Sequence, residues 1–119
     1  MTLRVAVLCW EESRPWVSAL RQQGYSVPWV DEPKADVQRQ MANSEPDVLV
    51  VDLTRLPQQG MSVLEALADK GLIAGIPVVL VTPDGKPAEG VAELDVDYRT
   101  CGPGDMTAAV QALAERQQA

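Results

Sequence analysis

The stretch PDVLVVDLT, residues 46–54, places a carboxylate, Asp52, where a run of four apolar residues ends. An acid at the mouth of a core serves either as a nucleophile or cation ligand, or as the cap of the turn that follows. Three other places carry groups of the right kind. Glu11 and Glu12 follow a first apolar run and offer hard oxygen donors. The plainer role for such a pair is a solvated one ahead of a helix N-terminus, where acids are favoured anyway. Thr82 closes GIPVVLVT and offers a hydroxyl, or is simply a loop residue before Pro83. Cys101 has no base or cation beside it and reads as a partly buried small residue and not as a nucleophile. Trp16 and Trp29 read as packing residues, and Trp10, at the mouth of the same region, as the aromatic that faces a partner.

Composition removes whole classes of function. The 119 residues contain no histidine, which excludes imidazole bases and His metal ligands. A net charge of −7 with no basic stripe excludes a nucleic-acid surface, which needs clustered Lys and Arg to neutralise phosphates. Two cysteines make neither a disulfide framework nor a zinc site, and a reducing cytoplasm is the expected setting. The opening MTLRVAVLCWEES is too short for a membrane span and lacks the small-residue cleavage site of a signal peptide. The length fits one domain over 1–119, with 46% apolar and 23% charged residues, ordinary values for a soluble protein.

The elements that position these groups alternate along the chain. Strands are expected at Leu3–Cys9, Tyr25–Val30, Asp47–Leu53 and Ile76–Val81, with a weaker fifth from Val96 to about Thr100. Ser13 can cap a first helix with Pro15 early, Val17 and Leu20 on one face, and Gly24 closing it. Asp31 can cap a second with Pro33, Val37 and Met41, ending near Asn43. A third runs from Gly60 to about Lys70 with Val63, Leu64 and Leu67 inward, and a last one from Asp105 through Val110 and Leu113 to about Arg116. The stretch TPDGKPAEG breaks the rhythm: two prolines and two glycines leave at most a turn of helix between about Pro87 and Leu94. Alternating strands and helices imply a parallel sheet with helices on both faces and right-handed crossovers. Ligands of such folds bind outside the carboxyl ends of the strands, where Asp52, Glu11, Glu12 and Thr82 all fall. No Gly-rich loop follows the first strand, which speaks against a flavin or dinucleotide site.

Over nearly its whole length the chain resembles the receiver domains of two-component response regulators. PDVLVVDL is similar to the family's third strand ending in its phosphoacceptor aspartate, which falls on Asp52. Gly60 matches the glycine eight residues later, Thr82 the hydroxyl residue that closes strand four, and Tyr98 of DYRT the aromatic of strand five. The resemblance implies a flavodoxin-like three-layer α/β sandwich and a five-stranded parallel sheet of order 2-1-3-4-5, from which this chain departs in a fourth helix that is short or missing. That order sets Cys9 and Cys101 about 14 Å apart, too far for a disulfide. It also implies a signalling protein and not an enzyme: phosphoryl acceptance at Asp52 from a histidine kinase or phosphotransfer protein, and a downstream target protein. A homodimer is the further partner it allows; nucleic acid and membrane are not expected.

The departures bear on the chemistry. The family's paired metal-binding acids fall on Cys9 and Trp10, with Glu11 and Glu12 just beyond; its lysine–proline pair falls on Cys101–Gly102; and its loop proline is displaced by one, to Pro57. A carboxylate attacking phosphorus needs a cation to gather like charges. Asp52, the Thr54 backbone carbonyl and Glu11 or Glu12 are the ligands expected to hold Mg²⁺, and weakly. Arg99 is near Cys101 but is expected on another face of the strand. Phosphorylation is therefore expected to be impaired. The alternative is a pseudo-receiver, a phosphorylation-independent interaction or dimerisation module without chemistry, bound through the loop from Pro83 to Gly90 and the helix from Asp105.

Overall fold

The computed structural model describes residues 3–8, 15–31, 39, 46–54, 57–73, 75–86, 90–94 and 96–118. Its strands are β1 (Arg4–Leu8), β2 (Ser26–Asp31), β3 (Val48–Asp52), β4 (Val78–Val81) and β5 (Tyr98–Cys101). Its helices are α1 (Pro15–Gln22), α2 (Pro57–Asp69) and α3 (Met106–Gln118), with single 3₁₀ turns at Val91–Glu93 and Pro103–Asp105.

The fold is α/β. Four strands lie side by side in chain order, β1, β3, β4 and β5, all parallel, with Val5 opposite Val48, Leu49 opposite Val78 and Val81 opposite Cys101. Along the free edge of β1 runs β2, also parallel, its register shifting between Arg4 and Ala6. β3 and β4 are neighbours in the middle of the sheet, as the sequence led us to expect. Asp47 ties the start of β3 to β1 twice: its amide donates to the Arg4 carbonyl at 2.8 Å, and its carboxylate accepts the Arg4 amide at 2.9 Å.

Alternation along the strands divides the core into two layers. Val5, Val7, Val48, Val50, Val79, Val81 and Cys101 face α1 and α3, where Leu20, Met106, Val110 and Leu113 close over them. Ala6, Leu8, Leu49, Val51, Val78 and Leu80 face α2, against Leu64 and Leu67. Every residue of β3 is fully buried, which is why its sequence is continuous valine and leucine where a one-sided strand would alternate.

Several boundaries differ from expectation for physical reasons. α2 begins at Pro57, not Gly60, because proline suits a first helical position whose N–H would go unpaired anyway. β4 begins at Val78 and not Ile76: Pro77 has no N–H to donate, and the ladder to the fifth strand opens with the Val78 amide on the Asp97 carbonyl at 2.8 Å. β5 is shifted to Tyr98–Cys101, so Cys101 belongs to the strand. Arg99 shares a face with Cys101, by alternation, and is exposed there, against the expectation of opposite faces. Between β4 and β5 the helix among the described residues is the 3₁₀ turn Val91–Glu93, inside the window where a single turn was expected. Of the helix expected from Asp31 to near Asn43, Asp31 itself ends β2 and Arg39 is helical, and the other residues lie outside those described.

Candidate functional site

The carboxyl ends of β3 and β4 form the candidate site. Register sets Asp52 beside Val81, and the Leu53 amide continues the ladder by donating to the Val81 carbonyl at 2.8 Å. Asp52 and Thr82 thus end adjacent strands, and they are the buried polar residues among those described, 0% and 5% exposed. Two polar groups at the rim of an aliphatic core each require partners, since an unpaired buried polar atom costs about 1–3 kcal/mol.

Asp52 finds part of its partnership in Thr54. The Thr54 amide donates to Oδ1 at 2.8 Å and the Thr54 hydroxyl donates to the same oxygen at 2.5 Å. The first bond is the side-chain-closed turn that aspartate forms two residues on, so the turn-capping role open at the level of sequence is present. The Thr54 side chain escaped that reading, in which only its carbonyl had a part. The available signal was the hydroxyl residue two places after the acid, at the point where a strand must turn.

Thr82 is held by its own loop. Its hydroxyl donates to the Lys86 carbonyl at 2.9 Å, while Asp84 Oδ1, 3.5 Å from that hydroxyl, accepts the Lys86 amide at 3.0 Å. Gly85 reaches φ +73°, a conformation that favours glycine, and its Cα lies so close to the next strand end that an added Cβ would sit 3.3 Å from the Gly102 nitrogen. The loop therefore folds onto the end of β5 as a closed turn.

Cys101 stands opposite Val81, and its carbonyl accepts the Thr82 amide at 3.0 Å. The thiol is free and buried, and burial followed by the nearby Asp105 carboxylate pushes its pKa up to about 11. It brings no positive charge to this end of the sheet and stays a neutral thiol near pH 7. Tyr98 is half-buried and packs with the α2-side layer.

Gly60 has a structural explanation. It lies in the first turn of α2, and a Cβ there would stand 2.5 Å from Leu53 Cδ2. The glycine lets the helix approach the end of β3 closely. Glu11, Glu12, Cys9 and Trp10 lie outside the described residues, and among the described residues no three acidic, cysteine or histidine side chains converge as a cation site. No helix among them is long and apolar enough to cross a membrane. No protein-family model and no curated protein matches this chain.

Proposed function

We propose that this chain is a receiver-like signalling protein, built on the flavodoxin-like strand order 2-1-3-4-5, which acts through protein–protein contacts and accepts a phosphoryl group at Asp52 inefficiently. The observation that carries the reading is Asp52 itself, fully buried at the carboxyl end of the central strand beside the end of β4. Carboxylates are rarely left in such a place without a partner or a use. The expected donor is a histidine kinase or phosphotransfer protein, and the reader is a downstream target or a second copy. Mg²⁺ would supply the charge that draws carboxylate and phosphoryl oxygens together. Asp52 and the Thr54 carbonyl are the described groups suited to it, and further carboxylates would have to come from Glu11 or Glu12. The neutral Cys101 brings no lysine-like charge to an acyl phosphate, which supports low efficiency.

A second reading is favoured by Thr82. Its hydroxyl already donates within its own loop, which suits an interaction module whose binding ignores the state of Asp52. One experiment separates the two: incubation of the protein with acetyl phosphate and Mg²⁺, followed by intact mass. A single added phosphoryl group that is lost in Asp52→Asn supports the first reading. An unmodified mass after prolonged incubation leaves the pseudo-receiver.

A further inference from the structure

Asp52 Oδ1 is held twice by one residue. The Thr54 amide bond at 2.8 Å is available to any residue at that place. The hydroxyl bond at 2.5 Å is a property of the side chain, and it lies at the short end for a hydroxyl on a carboxylate. Both donors act on the same carboxylate oxygen, which has two lone pairs to accept them. Asp52 is fully buried and Thr54 half-buried, so the bond lies at the rim of the core, where its electrostatic effect is greater than in bulk water.

We propose that Thr54 is a positioning residue whose hydroxyl restrains Asp52 as a nucleophile, so that phosphoryl uptake is fast only when this side chain turns away. The inference rests on the phosphoacceptor reading above. In the step, a carboxylate oxygen forms a bond to phosphorus, and the bond between phosphorus and the donor's oxygen breaks. Acetate leaves with the electron pair, and Thr54 keeps its proton. Negative charge on the carboxylate is greatest before attack and falls as it flows toward phosphorus. A donor on Oδ1 therefore stabilises the starting state more than the transition state. It also draws electron density from both oxygens, since they share the charge.

The test compares the full-length protein with Thr54→Val, which keeps the shape and the amide but has no proton to donate, and with Thr54→Ser, which keeps the proton. Each is incubated with acetyl phosphate and Mg²⁺, and the rate of adduct formation is followed by intact mass. Loss of part of a charge-assisted bond corresponds to a rate gain of roughly tenfold in Thr54→Val, with Thr54→Ser at the wild-type rate. Thr54→Ala, which also lacks the proton, is read in the same way if the valine variant does not fold. Equal or slower uptake in the proton-free variant overturns the inference, as does equal acceleration by serine, and either result leaves the phosphoacceptor reading standing. No adduct on any variant overturns both.

Discussion

The two central strands end side by side and are finished in different ways. β3 ends in a carboxylate held by Thr54, and the next element is a thirteen-residue helix that approaches closely over Gly60. β4 ends in a hydroxyl held by Lys86, and the chain folds into a closed loop before a single 3₁₀ turn at Val91–Glu93. The first end is built on side chains packed under a helix. The second is built on backbone: positive-φ glycines at 85 and 90, and the Lys86 carbonyl that accepts from the Thr82 hydroxyl. Packing resists change over many atoms at once, whereas a loop of local hydrogen bonds gives way one bond at a time. The β3 end suits a fixed reactive group, and the β4 end suits a surface that a partner can reshape.

The largest test of this contrast is side-chain truncation on each half. Leu67, fully buried on the sheet-facing side of α2, should cost about 2–5 kcal/mol as Leu67→Ala, because a cavity adds to the lost burial. Leu94, half-buried just after the 3₁₀ turn, should cost about 1 kcal/mol as Leu94→Ala. Urea denaturation of both variants measures the difference, and equal losses would mean that the segment after β4 is packed as tightly as α2.

Glycine substitution sharpens the comparison at the next level. In Gly60→Ala a methyl group must displace the Leu53 side chain from 2.5 Å, at about 1–3 kcal/mol, offset in part by about 1 kcal/mol of helix propensity. Gly85→Ala strains a φ of +73° and crowds Gly102, at about 1–2 kcal/mol. The two should therefore lose similar stability by thermal melting. They should differ in hydrogen exchange, with Gly60→Ala loosening the end of β3 and the start of α2, and Gly85→Ala loosening only the loop.

The β4–β5 side carries a pH effect of its own. The folded state holds the Cys101 thiol neutral up to a pKa of about 11, while the unfolded chain ionises it nearer the ordinary value of 9.0. The unfolded state thus releases its proton first, and the stability that this thiol contributes is present below pH 9 and declines as pH rises through 11. Tyr25, pushed up by burial and then by Glu115, bends the curve the same way above pH 10. Urea midpoints between pH 8 and 11 should fall less steeply in Cys101→Ala than in wild type. Parallel curves would mean that the thiol ionises alike in both states.

How legible all this was depends on how local the cause is. The continuous run Val48–Val51 states its own burial, and from it follow a parallel sheet, helices on both faces and the polar chemistry of a strand end. Gly60 was visible as a glycine but not as a contact, because Leu53 meets it only once the chain has turned. Pro57 and Pro77 shifted two boundaries through a missing N–H, a rule readable in advance whose consequence depends on which neighbour would have accepted. The Thr54 hydroxyl was hidden by attention to its carbonyl. Arg99 was assigned to another face because the strand was expected to end at about Thr100, which left Cys101 outside the alternation that sets the two on one face.

The smallest expected effect is the most diagnostic of the loop. Thr82→Val keeps the shape of a 5%-exposed side chain and removes one hydroxyl, whose bond to the Lys86 carbonyl is worth about 0.5–1.5 kcal/mol. Lys86 is exposed, so its carbonyl can turn to water, and the loss should sit at the lower end of that range. The Asp84 carboxylate still accepts the Lys86 amide, so the turn should persist in weakened form. The expected signature is faster hydrogen exchange at Gly85 and Lys86 with nearly unchanged global stability. Unchanged exchange there would show that Asp84 and the backbone of Gly85 close the loop by themselves. Thr82 would then be free to donate elsewhere at little cost, and the strongest support for the phosphorylation-independent reading would be gone.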